Sequence, residues 1–170
     1  PNTQPVNDSE AVTSFILERA REVSKVAVYP IGAITKGSQG KNLAEIGEMR
    51  EAGVVALSDD GRSIMSGALM RRALEYASMF DLPVIVHEQD DIIAGDGVMN
   101  EGAVSLRLGL KGMPAAAEDA MIARDIALLA RTGGQEPAGQ EETGEDEGGE
   151  AEAEPGSGST LRLKTWQQRK

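Results

Sequence analysis

Cysteine is absent from the 170 residues and histidine occurs once, as His87. Without thiols there are no disulfides, no thiolate zinc cages and no cysteine nucleophile. No apolar run approaches the roughly 20 residues of a membrane-spanning helix, so a membrane partner is not expected. Basic side chains are the minority, 17 against 28 acidic ones, for a formal net charge of −11. No face can then be broadly cationic, which argues against a nucleic-acid partner, since phosphate neutralisation needs clustered Lys and Arg. Neither a Gly-x-Ser-x-Gly elbow nor a phosphate-cradling loop is present. The Pro1-Asn2-Thr3 start lacks the apolar core of a secretory signal, so the expected location is cytoplasmic. The length suits about one domain.

What is present is unevenly distributed. Residues 135–155 hold nine acidic and no basic side chains, and 156–170 hold four basic and no acidic ones. Nearly half of the excess negative charge therefore sits on about a fifth of the chain, leaving residues 1–134 at net −6. The run Glu141-Glu142-Thr143-Gly144-Glu145-Asp146-Glu147 has no apolar periodicity and too little apolar area to offset the entropy of ordering it. Two regions are expected: an ordered body over 1–134, and a disordered, acidic Gly/Glu-rich tail over 135–170 with a short basic end. Within that end, Leu161-Arg162-Leu163-Lys164-Thr165-Trp166 alternates apolar and basic residues, which suits a short strand or a docking peptide. A solvated end is the favoured reading.

The body is punctuated like repeated strand and helix units. Asn7 and Glu10 have capping-box spacing, and Val12, Phe15, Ile16, Ala20 and Val23 then share one helical stripe. An apolar run over Val26–Ile31 predicts a buried strand. A helix over Leu43–Ala52 precedes a strand at Val54–Leu57, and a helix over Gly67–Phe80, with Leu69, Ala73, Leu74 and Ala77 inward, precedes a strand at Val84–Val86. Residues 92–113 read as a long loop whose Ser105, Arg107 and Lys111 could meet an anion or serve as a solvated lid. A last helix starts at Pro114, suited to a first helical position, and runs to about Arg131. The seven methionines, mostly on helix faces, read as core filler. Apolar strands alternating with amphipathic helices predict an α/β fold with a parallel sheet.

In such folds chemistry collects at the carboxyl ends of strands. Ser58-Asp59-Asp60-Gly61 follows one predicted strand and His87-Glu88-Gln89-Asp90-Asp91 the next. Adjacent parallel strands lie about 5 Å apart, near enough for Asp60 and His87 to share one divalent ion. A carboxylate with an imidazole and no thiol suits zinc, manganese or iron. The plainer reading makes the Asp-Gly step a turn or cap and the histidine a structural residue. Two ligands are also one fewer than a catalytic zinc site normally takes.

Pro1-Asn2-Thr3-Gln4-Pro5 resembles the Pro-Asn-Thr-x-Pro motif of dihydroorotases, the cyclic-amide hydrolases of pyrimidine synthesis in the amidohydrolase superfamily. Ala56–Gly61, Val86–Asp90, Met99-Asn100-Glu101-Gly102 and Gly112–Glu118 resemble later family segments in the same order, and the likeness runs nearly continuously from Pro1 to Gly134. The resemblance implies a partial (β/α)8 TIM barrel of the metal-dependent hydrolase type. It implies that Asn2 binds substrate, that Asp60 bridges two zinc ions and that His87 ligates one of them, zinc being the cofactor. Gln89 stands where the family pattern usually has Glu. The implied reaction is hydrolysis of dihydroorotate to carbamoyl aspartate and its reverse.

The family's upstream His-x-His pair, a later histidine ligand and the catalytic aspartate have no counterpart in this sequence, so no catalytic residue is assigned and no hydrolysis is expected from the chain alone. It reads as a central piece of a barrel, from a gene fragment or truncated reading frame. The alternative is a non-catalytic dihydroorotase-like partner of aspartate transcarbamoylase. An unclosed barrel piece exposes two strand edges and its inner face, which predicts marginal stability, a homodimer, or flattening into an open sheet.

Overall fold

The computed structural model describes residues 1–132 together with the backbone of 163–165. The acidic low-complexity run expected to be disordered lies outside the described residues.

The described chain is α/β, with all strand pairs parallel. Helix α1 (Glu10–Val23) leads to β1 (Ile31–Gly32), and α2 (Ile46–Ala52) to β2 (Ala56–Ser58). Helix α3 (Gly67–Ser78) leads to β3 (Val84–Val86), and α6 (Ala116–Thr132) precedes β6 (Leu163–Thr165). The main sheet has the order β1-β2-β3-β6, with Gly32 beside Leu57, Leu57 beside Val84 and Val84 beside Leu163. Strand β6 corrects the favoured sequence reading of a solvated end: the apolar–basic alternation here marks an edge strand. Among the described residues no helix is long and apolar enough to cross a membrane.

Burial explains the order. The three strands are short and largely buried, and Leu57 and Val84, with Val54 just before β2, are fully buried in one cluster with Ile46, Met49, Met70 and Leu74. All four residues expected on the inner face of α3, Leu69, Ala73, Leu74 and Ala77, are buried there. Ser66 caps that helix, its hydroxyl accepting from the Leu69 amide at 3.2 Å. Gly53 ends α2 with φ 114°, a left-handed conformation that favours glycine. Of the methionines, Met49, Met70 and Met121 are core, whereas Met79 is exposed.

Three expected elements are corrected. Only Ile31–Gly32 of the predicted strand over Val26–Ile31 is paired; Val26 and Tyr29 face solvent, because Pro30 has no N–H for a ladder and contributes only its carbonyl, to Val55 N at 3.1 Å. The span 92–113 is not a loop. It holds α4 (Asp91–Ala94), β4 (Met99–Asn100), α5 (Ala103–Leu108) and β5 (Gly112–Met113), with β4 and β5 forming a small parallel pair. A Cβ on Gly112 would come within 2.5 Å of Glu101 Cα, so this pair depends on backbone approach that only glycine allows. Helix α6 starts at Ala116, two residues after Pro114, rather than on the proline.

The expected capping box at α1 is also replaced. Ser9 occupies the cap position without a side-chain hydrogen bond, and Asn7 is buried instead. Its Nδ2 donates to Ile31 O at 2.9 Å and its Oδ1 accepts from Thr13 Oγ1 at 2.8 Å, clamping α1 to β1. The inward residue of α1 is therefore the polar Thr13, and Phe15 and Val23 of the predicted apolar stripe are exposed. Asn7→Ala removes both bonds, while the Thr13 hydroxyl keeps its bond to Ser9 O at 3.1 Å, so urea denaturation should report a loss of about 1–2 kcal/mol.

Candidate functional site

Strands β2 and β3 end side by side, so the residues that follow them share one rim. Ser58 Oγ accepts from the Asp60 amide at 3.0 Å, and the chain turns through Gly61 at φ 86°. From this turn Ser63 Oγ donates to His87 O at 2.8 Å, tying the loop after β2 to the end of β3. His87 Nδ1 lies 3.9 Å from Asp60 Oδ1, with the two side chains 29% and 46% exposed. The two residues singled out as a shared ligand pair do face each other, on an open rim reachable from solvent.

Asn2 is exposed. Pro1, immediately before it, has a carbonyl that accepts from Thr3 N and Asn7 N, both at 2.9 Å, so the segment holding Asn2 turns back towards the buried Asn7.

The neighbouring aspartate has a different role. Asp59 is 3% exposed, and its carboxylate accepts from Ile34 N at 2.8 Å, from Thr35 N at 3.1 Å and from the Thr35 hydroxyl. It joins the segment after β1 to the end of β2. Burial raises its pKa above the ordinary carboxylate value, and the bonds from Thr35 and Ile34 oppose that rise. Asp59 is thus a structural tie between two strand ends, and the turn expected at the Asp-Gly step is made by Asp60 and Gly61, where the Asp60 amide donates to Ser58 Oγ.

Asp90 caps α4, accepting from Ile92 N at 2.9 Å and Ile93 N at 3.0 Å, and Gln89 Nε2 donates to Asp91 at 3.3 Å. Of the three residues considered for an anion contact, Ser105 is buried in a local bond with Gly102, Lys111 pairs with Asp96, and Arg107 is exposed.

One cluster was not anticipated. Glu88 sits beside a cleft of about 270 Å³ that Glu101 and Glu118 also line, and both its carboxylate oxygens are buried without a hydrogen-bond partner. Burial, with Asp125 and Glu118 adding to it and Arg124 opposing, pushes its pKa up to about 7. Asp125, 1% exposed, is held by Arg124 Nε at 2.7 Å. Ala117, Met121 and Asp125 recur every four residues on the buried stripe of α6, so an acid on an apolar stripe was the available signal. Among the described residues no group of three or more His, Cys, Asp or Glu is placed to hold a metal ion.

The model of the family described as Dihydro-orotase-like matches residues 1–136. The chain belongs to the dihydroorotase-like family. It is 61% identical over 135 residues to the dihydroorotase of Anaeromyxobacter dehalogenans strain 2CP-C, covering 79% of this chain and 31% of that protein. It is 58% identical over 128 residues to the dihydroorotase of Geobacter sulfurreducens, covering 75% of this chain and 30% of that protein. The chain thus spans about a third of the length of the curated dihydroorotases it matches. Asn2, Asp59, Asp60, His87 and Glu88 all fall inside the matched span.

Proposed function

We propose that residues 1–134 are the central part of a dihydroorotase (β/α)8 barrel and carry part of its metal and substrate site, with the residues after 136 lying outside the family match. The observation that carries this reading is the approach of Asp60 and His87 at the ends of adjacent parallel strands. The reaction is hydrolysis of the ring amide of dihydroorotate to carbamoyl aspartate, and its reverse, in a cytoplasmic enzyme of pyrimidine synthesis.

Zinc fits these residues as a shared ion. Ligands about 2.1 Å from a tetrahedral zinc are about 3.4 Å apart. The 3.9 Å between Nδ1 and Oδ1 is a small side-chain rotation from that value. Asp60 and His87 would hold the metal. When bound, zinc acidifies a water and polarises a carbonyl. Asn2 supplies an amide that both donates to and accepts from the polar edge of the substrate. Two ligands make an incomplete site, so this chain alone binds metal weakly and turns over no substrate.

The facing pair supports this reading over the non-catalytic partner of aspartate transcarbamoylase, which has no need of a carboxylate aimed at an imidazole. A homodimer remains part of the proposal, because the large apolar side chains of Phe15 on α1 and of Val26 and Tyr29 before β1 are exposed. His87 is the only histidine, so its imidazole NMR signals report the site without ambiguity. Titration with zinc should shift them saturably, and Asp60→Asn should weaken the apparent affinity about tenfold or more. Signals unmoved at millimolar zinc, or equal shifts in the variant, would refute the shared site.

A further inference from the structure

The family match ends at residue 136, yet the fourth strand of the main sheet comes from 163–165, outside it. This strand lies against β3, the strand whose carboxyl end carries His87. One side of β3 is taken by β2. Its other side offers the peptide groups of Val84–Val86, and Val84 and Val86 are themselves buried, so an unpaired ladder there would leave polar groups without partners in an apolar layer. Strand β6 pairs with that side in parallel, Leu163 beside Val84, Lys164 beside Ile85 and Thr165 beside Val86.

The local sequence suits the position. Leu161-Arg162-Leu163-Lys164-Thr165-Trp166 alternates apolar and polar residues with period two, and charged residues in a terminal strand discourage a further strand from adding. Residues 156–170 hold four basic and no acidic side chains, whereas residues 1–134 are net −6, so the returning segment and the body attract. Thirty residues separate Thr132 from Leu163. At about 3.3 Å per extended residue that is ample reach, and a tether favours a strand from the same chain over one arriving from solution.

We propose that residues 163–165 are an intramolecular edge clasp. The free side of β3 is an acceptor for one extended parallel strand, and the chain fills it with its own segment, keeping the His87 strand internal to the sheet. This rests on strand pairing and does not depend on the dihydroorotase reading.

Hydrogen exchange on the full chain tests it. Amides in 84–86 and 163–165 should both be protected. Successive strand amides point to opposite sides, so the double variant Leu163→Pro, Lys164→Pro must delete at least one donor towards β3. Exchange at 84–86 should then rise tenfold or more, while 56–58 and 69–77 remain protected. Unchanged protection at 84–86 would overturn the clasp. If the variant loses protection everywhere, the wild type decides: cross-strand NOEs between Val84 and Leu163 and between Val86 and Thr165 are expected, and their absence overturns the proposal. In a mixture of labelled and unlabelled chains these NOEs should stay within one chain; NOEs found only between chains would replace the clasp with strand exchange.

Discussion

Asp59→Ala should destabilise the protein by about 4 kcal/mol, whereas Asp60→Ala, one residue on, should change stability by less than about 0.5 kcal/mol. The Asp59 carboxylate accepts three hydrogen bonds in a buried place, from two backbone amides and the Thr35 hydroxyl. Alanine leaves the Ile34 and Thr35 amides without partners, each costing about 1–3 kcal/mol, and frees the segment after β1 from the end of β2. Asp60 makes no such bonds and is nearly half exposed, so its removal is cheap for the fold. Urea denaturation of both variants measures the contrast. Equal losses would mean that the two carboxylates do not divide structure from site as described.

The second large effect is on pH dependence. Glu88 has its ionisation held off from 4.5 to about 7, chiefly by burial. The folded protein therefore binds a proton in that window that the unfolded chain has released. Stability falls as pH rises from 4.5 towards 7, and the loss is complete above the folded pKa. The shift corresponds to about 3 kcal/mol. Asp59, also raised, acts in the same direction at lower pH. Glu88→Gln carries no titrating group, so it should flatten the stability profile between pH 4.5 and 8. At pH 8 it should exceed the wild type by about 2–3 kcal/mol, since the amide avoids a buried charge without hydrogen-bond partners. A variant less stable than wild type at pH 8 would show instead that attraction to Arg124 outweighs desolvation.

The parts of the fold that were legible in the sequence are those with a long period or a continuous apolar run. Leu69, Ala73, Leu74 and Ala77 place α3 and its inner face, and Val84–Val86 is a strand with the bounds expected of it. The span 92–113 was illegible because its helices have four and six residues and its strands two, too short to show a period. Glycine contact rather than apolar patterning fixes that part. At α1 the apolar stripe was real but misleading, since the Asn7–Thr13 bond turns a polar residue inward. For the site, position after a strand end brought the Asp59-Asp60 pair and His87 to one rim. It could not separate Asp59 from Asp60, because only the packed segment after β1 shows which carboxylate accepts from backbone amides. The cluster of Glu88, Arg124 and Asp125 joins residues 36 or more positions apart, so no local pattern contains it.

If this chain carries a segment of a dihydroorotase site, as proposed, that segment should work once it is given the rest of a barrel. Residues 1–132 would replace the corresponding stretch of the Anaeromyxobacter dehalogenans dihydroorotase, to which the chain is 61% identical, and hydrolysis of dihydroorotate would be followed together with the melting temperature. The predicted result is a folded chimera that turns over dihydroorotate, with activity lost in Asp60→Asn and His87→Ala at unchanged melting temperature. A folded chimera without activity, or one whose activity survives both substitutions, would contradict it.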